Sequence, residues 1–156
     1  MKAASLVEIK KVLKTMDEEE MMACCLRLAK FKKDNKELLT YLLFEEKDEG
    51  SYIALIKEDI DFAFEEINTN HIYYAKKGVR KILRNVNKYI RYSGKKQTEV
   101  EILIYFCETL KKSGIRYRSS TILNNLYQNQ VKKIKKALDT LHEDLRFDYQ
   151  ETVESL

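Results

Sequence analysis

The sequence contains no proline, no tryptophan and only four glycines among its 156 residues. Because proline breaks helix interiors and, like glycine, marks turns, their scarcity predicts long helices joined by short polar turns. No apolar run approaches the roughly eighteen residues that a membrane-spanning helix needs. The N-terminal apolar stretch is interrupted by Glu8, Lys10 and Lys11, so we do not expect a signal peptide.

Cysteine and histidine are also scarce, with three and two residues respectively. Cys24 and Cys25 are adjacent, which is a poor arrangement for a disulfide or a zinc site, so we expect buried free thiols in a reducing cytoplasm. Asp139 and His142 have the i, i+3 spacing that carboxylate-bridged metal sites use on a helix. A complete site needs a second such pair, which the sequence lacks, and we predict no metal site.

Recognisable catalytic motifs are absent as well: the chain has no glycine-rich phosphate loop, nucleophile elbow or kinase signature. We therefore predict no catalytic residue and no cofactor, and we lean against an enzyme. An active site would require a strongly perturbed pKa at a residue such as Glu101, Tyr105 or Glu108.

What the sequence does contain is apolar residues at helical spacing, divided by capping residues. The predicted helix starts are Ser5, Asp17, Asp34, Ser51, about Asn70, Thr98 and Ser120. Gly94 and Gly114 suit the left-handed geometry that follows a helix. Gly78, inside the fifth helix, indicates the close approach of a neighbouring helix or of a ligand backbone.

The sixth predicted helix is apolar on almost all sides, which is typical of a helix buried by several neighbours. We take it as the centre of the fold, with Leu103, Phe106, Cys107 and Leu110 in the core. From Ser120 onward we predict one long helix, whose stripe from Tyr127 to Leu145 is heptad-like. That stripe either packs on its own domain or forms a homodimer seam through the helix at 120–147.

These elements predict an all-α protein with about six to eight helices in a single domain, residues 1–156. Antiparallel hairpins at about 5–31, 34–68 and 70–113 form a layout that resembles the short α-α superhelices of HEAT and tetratricopeptide proteins. The resemblance is one of layout only, because the tetratricopeptide pattern of Trp, Leu-Gly, Tyr and Pro is missing. A compact helical bundle is the alternative.

Charge is distributed unevenly along the chain. The N-terminal half, 1–68, has 11 basic and 16 acidic residues, the segment 69–138 has 17 basic and 3 acidic, and the tail 139–156 has 1 basic and 6 acidic. A basic segment between two acidic ones predicts either an anion-binding surface or a solvated face that acidic neighbours neutralise.

The fifth helix concentrates this positive charge, since the window 67–98 has nine Lys and Arg residues and no acidic residue. At 100° per residue the basic side chains lie opposite the apolar ones, with tyrosines beside them. Basic groups interleaved with aromatic rings are typical of surfaces that bind nucleic-acid backbones. The candidate binding residues are Tyr73, Lys77, Arg80, Lys81, Arg84, Lys88, Arg91 and Tyr92. Secondary candidates on other elements are Arg116, Arg118, Lys132, Lys133 and Lys136.

We therefore predict a non-enzymatic interaction or scaffold module in the cytoplasm that binds a protein partner. The alternative function is nucleic-acid binding, without sequence specificity, through the basic face of the helix at 70–93. Binding to an acidic protein or to a membrane surface is a further alternative for the same face.

Overall fold

The computed structural model describes residues 2–69 and 71–156, which form eight α-helices and no strand. The protein is 81% helical, so the predicted all-α class with six to eight helices is confirmed. The helices are α1 (Leu6–Leu13), α2 (Glu18–Phe31), α3 (Lys33–Thr40), α4 (Glu49–Glu65), α5 (Ile72–Ser93), α6 (Lys96–Lys112), α7 (Thr121–Leu138) and α8 (Glu143–Glu154). A π-helical turn at Tyr41–Glu45 and a 3-10 turn at Tyr117–Ser119 complete the elements.

The chain divides into two compact units, Met1–Phe44 and Glu45–Leu156, which we call unit 1 and unit 2. Unit 1 contains α1–α3, and unit 2 contains α4–α8. The single domain expected over 1–156 stays a prediction, because a division by contacts does not test whether the two units fold together.

Unit 1 begins with two capping boxes, each set by a local side-chain pair. The Ser5 side chain accepts a hydrogen bond from the Glu8 backbone while the Glu8 carboxylate accepts from that of Ser5, and Asp17 and Glu20 repeat the arrangement at α2. The start predicted at Asp34 is wrong: α3 begins one residue earlier, at Lys33, without a side-chain cap.

Packing in unit 1 is limited to one helix pair. α2 packs on α3, and the Asn35 side chain donates to the Leu28 carbonyl at 2.9 Å, whereas α1 has no extensive contact with any helix. The hairpin predicted over 5–31 is therefore wrong. No residue of α1, α2 or α3 is buried.

Unit 2 is built around α6, which packs against α4, α5, α7 and α8. Leu103, Phe106, Cys107 and Leu110 are completely buried, as the apolar character of this helix predicted. Stacked hairpins contact mainly their neighbours, whereas here one central helix contacts four others. Unit 2 is therefore packed as a compact bundle.

The contact between α4 and α5 depends on a small residue. The side chain of Ile67, just past the end of α4, covers Gly78, and a Cβ atom added there would lie 2.7 Å from Ile67 Cγ1. Gly78 thus serves the close approach of a neighbouring segment of the chain, the first of the two roles expected from the sequence. At the other end of α5, Gly94 has φ 68°, in the left-handed region that glycine favours.

Two other predicted helix starts differ from the structure, and a third falls on a residue that the structure does not describe. Asp48, not Ser51, caps α4, since its side chain accepts from the Ser51 backbone at 3.1 Å. Thr98 lies inside the first turn of α6, where its hydroxyl donates to Glu49 Oε1. The start near Asn70 lies outside the described residues, and α5 begins at Ile72.

The prediction of a single long C-terminal helix is also wrong, because the helix is interrupted between Leu138 and Glu143. At the end of α7 the backbone amides of Thr140 and Leu141 donate hydrogen bonds to the carbonyls three residues earlier. His142 then adopts an extended conformation (φ −60°, ψ 150°), and α8 begins after it. The stripe residues Leu123, Tyr127, Val131, Ile134 and Leu138 are buried within unit 2. No continuous seam over 120–147 is exposed, and a homodimer stays an untested prediction.

Candidate functional site

The basic face of α5 is held outward by its apolar face. Buried side chains at helical spacing anchor the inner face: Ala75, Val79, Ile82, Val86 and Ile90. The cations opposite form what we call the α5 basic stripe: Lys77, Arg80, Lys81, Arg84, Lys88 and Arg91. From Lys77 to Arg91 the stripe spans about 21 Å at 1.5 Å per residue. Because the buried face fixes the helix, the stripe is a preorganised line of charge.

Most of the stripe has no acidic partner. Lys77, Arg80, Lys81, Arg84 and Arg91 are exposed and form no ion pair with any described residue. Elsewhere in unit 2 lysines are neutralised, as Lys57 is by Glu101 at 2.8 Å and Lys95 by Glu49 at 2.7 Å. Neutralisation by acidic neighbours, the alternative considered from the sequence, is therefore not what the described residues show at these five positions.

The tyrosines beside the stripe differ in availability. Tyr73 is 61% exposed, and the Lys77 ammonium lies 5.5 Å from its ring centroid. Tyr92 is half-buried and packs edge-on against Tyr89 at 6.4 Å, with Lys88 close to both rings. A stacking role thus fits Tyr73 better than Tyr92. Tyr74, which was not among the candidate residues, is 55% exposed. It lies near the start of α5, where its ring contacts that of Tyr73 edge-on.

The secondary candidates separate into three positions. Lys133 forms contacts within unit 2: its ammonium lies 3.2 Å from the Glu99 carboxylate and donates a hydrogen bond to Asn87 Oδ1 at 2.8 Å. Arg116 lines a cleft near the start of α5, and Arg118 lies over the Tyr117 ring at 5.8 Å. Lys132 and Lys136 are exposed on α7 without an ion pair among the described residues. Arg116 shares a cleft with residues at the start of α5, among them Lys76, and Lys133 shares another with Arg91 near the end of α5.

The residues named for a possible enzyme belong to a network between helices. Glu101 holds the Lys57 ammonium at 2.8 Å and accepts from the Tyr149 hydroxyl at 3.3 Å. The Tyr105 hydroxyl donates to Asp61 at 2.5 Å, and this hydrogen bond, with burial, raises the pKa of Tyr105 to about 12. These contacts join α6 to α4 and to α8.

Asp139 and His142 do not lie on one helix face, because both lie in the segment between the end of α7 and the start of α8. His142 caps α8, and Asp139 lies 3.9 Å from Arg146. Within residues 2–69 and 71–156 no three His, Cys, Asp or Glu side chains come together as metal ligands. The expectation of buried thiols is correct for Cys107 and wrong for Cys25, which is exposed on α2.

A second surface, which the sequence analysis missed, is the apolar exterior of unit 1. A groove of about 250 Å³ between α2 and α3 is lined almost entirely by apolar side chains, with Leu28 56% and Leu42 46% exposed. Large apolar residues are exposed along the whole unit: Leu6, Val7, Ile9, Val12, Leu13, Met21, Met22, Leu26, Leu28, Phe31, Leu38, Leu42, Leu43 and Phe44. The sequence feature that could have predicted this surface is the high apolar content of short helices that are too few to cover one another.

None of the described helices is both long and apolar enough to cross a membrane. The chain matches no family model, no curated protein and no solved structure.

Proposed function

We propose that the protein is a helical interaction module that binds a protein partner through the apolar surface of unit 1. The observation that carries this proposal is that α1–α3 bury no residue while they expose eleven large apolar side chains, and the π-helical turn that follows exposes three more. Proteins that act alone rarely expose contiguous apolar patches of more than a few hundred Å². The three free cysteines fit the cytoplasmic location that we expect for it.

The partner that fits the α2–α3 groove is an amphipathic helix, because a helix fills the groove between two others with residues at i, i+3 and i+7. Burying the exposed part of each half-exposed leucine contributes about 1 kcal/mol. Leu28, Leu38 and Leu42 together contribute about 3 kcal/mol, less than even a millimolar complex requires. The partner must therefore also cover flanking side chains such as Met22 and Phe31.

The test compares Leu28→Asp combined with Leu42→Asp against the control Leu55→Asp, which changes a 52% exposed leucine on α4 of unit 2. Proteins cross-linked to the chain in cells are identified by mass spectrometry, purified and titrated against each variant by calorimetry. We expect the groove variant to lose at least about tenfold in affinity and the control to bind like the parent. Circular dichroism checks that both variants stay helical.

Equal affinity of the groove variant and the parent would refute the proposal. Light scattering of the purified chain distinguishes the other possible occupant, a second copy. A dimer that the groove variant abolishes would make this chain its own partner, whereas a dimer that survives would locate self-association outside the groove.

The second candidate function is nucleic-acid binding through the α5 basic stripe. It rests on a separate observation, the five cations along about 21 Å that have no acidic partner among the described residues. Each cation that neutralises a phosphate releases counterions condensed on the nucleic acid. Five contacts therefore give a slope of log affinity against log salt of about −4.5 on duplex DNA and about −3.5 on single strands. Tyr73, the exposed ring, is placed to stack on an unpaired base.

Fluorescence anisotropy with labelled DNA at several salt concentrations tests this candidate. The variant Arg80→Glu with Arg84→Glu removes two stripe cations that have no acidic partner among the described residues, and Lys10→Glu with Lys11→Glu makes the same charge change on α1. We expect the stripe variant to bind more weakly and with a shallower slope than the α1 control. Identical loss in both variants, or no binding by the parent at about 50 mM salt, would rule out the stripe.

A further inference from the structure

A cleft of about 580 Å³ lies between the start of α5 and the turn that leads into α7. Lys76 reaches it from α5, and Arg116 reaches it from the segment after α6. Ligand pockets in proteins typically have volumes of about 300–1,000 Å³. The cleft is thus large enough for a nucleotide-sized molecule, and neither of the functions proposed above uses it.

Charge in the cleft is of one sign. Neither Lys76 nor Arg116 forms an ion pair with a described residue, and none of the described residues that line the cleft is acidic. Two cations from different elements line this cleft, so both attract an anion that binds in it. This placement differs from that of Lys133, whose charge Glu99 neutralises.

Of the polar side chains around the two cations, two form hydrogen bonds within the described chain and one does not. Ser120 caps α7 by accepting from the Leu123 backbone, and the Ser119 hydroxyl donates to the Arg116 carbonyl at 2.8 Å. The Thr69 hydroxyl has no hydrogen-bond partner among the described residues and also lines the cleft. An anion there would meet an ammonium, a guanidinium and one hydroxyl donor.

We propose that this cleft binds the phosphate group of a nucleotide-sized ligand. A phosphate monoester has a charge of about −1.5 to −2 at neutral pH, which matches two cations, whereas a single carboxylate matches only one. The planar guanidinium of Arg116 is suited to bidentate contacts with phosphate oxygens. Ile72 and Ile115 provide an apolar wall in the same cleft for the rest of the ligand.

Two kinds of ligand carry such a phosphate group. One is a free nucleotide, and the other is a nucleic-acid strand that lies along the α5 basic stripe with its terminal phosphate in the cleft. The first arm of the test titrates the chain with adenosine monophosphate, inorganic phosphate and adenosine by calorimetry. The second arm compares a short single-stranded DNA with and without a 5′-phosphate by anisotropy. Only the second source depends on the nucleic-acid function proposed above.

The matched variants are Lys76→Gln with Arg116→Gln in the cleft and Lys10→Gln with Lys11→Gln on α1. Both pairs remove two cations that form no ion pair with described residues, so circular dichroism should show unchanged helicity. We expect adenosine monophosphate to bind the parent and the α1 control equally, the cleft variant to bind at least about tenfold more weakly, and adenosine not to bind.

If the 5′-phosphate strengthens DNA binding by the parent but not by the cleft variant, the ligand is a strand end. If adenosine monophosphate binds and the 5′-phosphate makes no difference, the ligand is a free nucleotide, and that result stands even if the α5 basic stripe binds no DNA. The proposal is overturned if neither adenosine monophosphate nor inorganic phosphate binds at about 10 mM and the 5′-phosphate does not strengthen DNA binding. It is also overturned if the cleft variant binds every phosphate ligand as well as the parent does.

Discussion

Replacing Gly78 with alanine sets two effects of opposite sign against each other. Inside a helix, alanine is favoured over glycine by about 1 kcal/mol. The new Cβ atom, however, would lie 2.7 Å from Ile67 Cγ1 and 2.9 Å from Ile67 Cδ1, well inside the contact distance of about 3.5–4.0 Å between carbon atoms. Overpacking of this kind typically costs about 1–3 kcal/mol, so we expect Gly78→Ala to destabilise the protein by about 1 kcal/mol.

A double-mutant cycle with Ile67→Ala, followed by urea unfolding, separates the two effects. Without the isoleucine side chain the clash disappears and only the helix propensity remains, so Gly78→Ala should then stabilise by about 1 kcal/mol. The change of sign between the two backgrounds is the diagnostic result. Stabilisation by Gly78→Ala in the parent background would refute the close packing of Ile67 on α5.

Two further predictions concern the core and its charge. Leu103→Ala should lower the free energy of unfolding by about 2–5 kcal/mol, while Ile122→Ala, at an exposed position, should change it by less than about 0.5 kcal/mol; similar losses would show that α6 is not central. Burial raises the pKa of Glu99, but hydrogen bonds and charge from Lys96 and Lys133 lower it by more, so the net shift is downward from 4.5. The lowered folded pKa means that Glu99 stabilises above pH 4.5 and loses this contribution as the pH falls through the folded pKa. Urea midpoints should therefore drop more steeply on acidification in the parent than in Glu99→Gln; parallel curves would contradict this assignment.

Local chemistry was the part of the fold that could be predicted from sequence. The capping box at Asp17 depends on residues three apart, and Gly94 ends α5 through its own backbone, so both could be recognised without tertiary information. Thr98 was misassigned because a hydroxyl that can cap a helix can equally donate to a distant carboxylate, here that of Glu49. Periodicity also continued through the break after Leu138, since turn residues can keep helical spacing by coincidence.

The candidate surfaces were only partly predictable for a related reason. The phase of α5 was enough to place its cations on one face, because the buried stripe from Ala75 to Ile90 fixes the helix rotation. Tertiary packing decides which cations are neutralised. Lys133 lies beside Glu99, whereas Arg116 and Lys76 line the same cleft. No spacing in the sequence shows either arrangement.

The absence of buried side chains in α1–α3 also has a kinetic consequence. Isolated helices of eight to fourteen residues are marginal in water, so the amide hydrogens of these helices should exchange with solvent through frequent local opening, far faster than those of α6. A ligand that covers the helices then has to complete their ordering, and part of its contact energy is spent on conformational entropy. Association at this surface should accordingly show a large negative heat-capacity change together with only moderate affinity, and complexes formed in this way can be released readily.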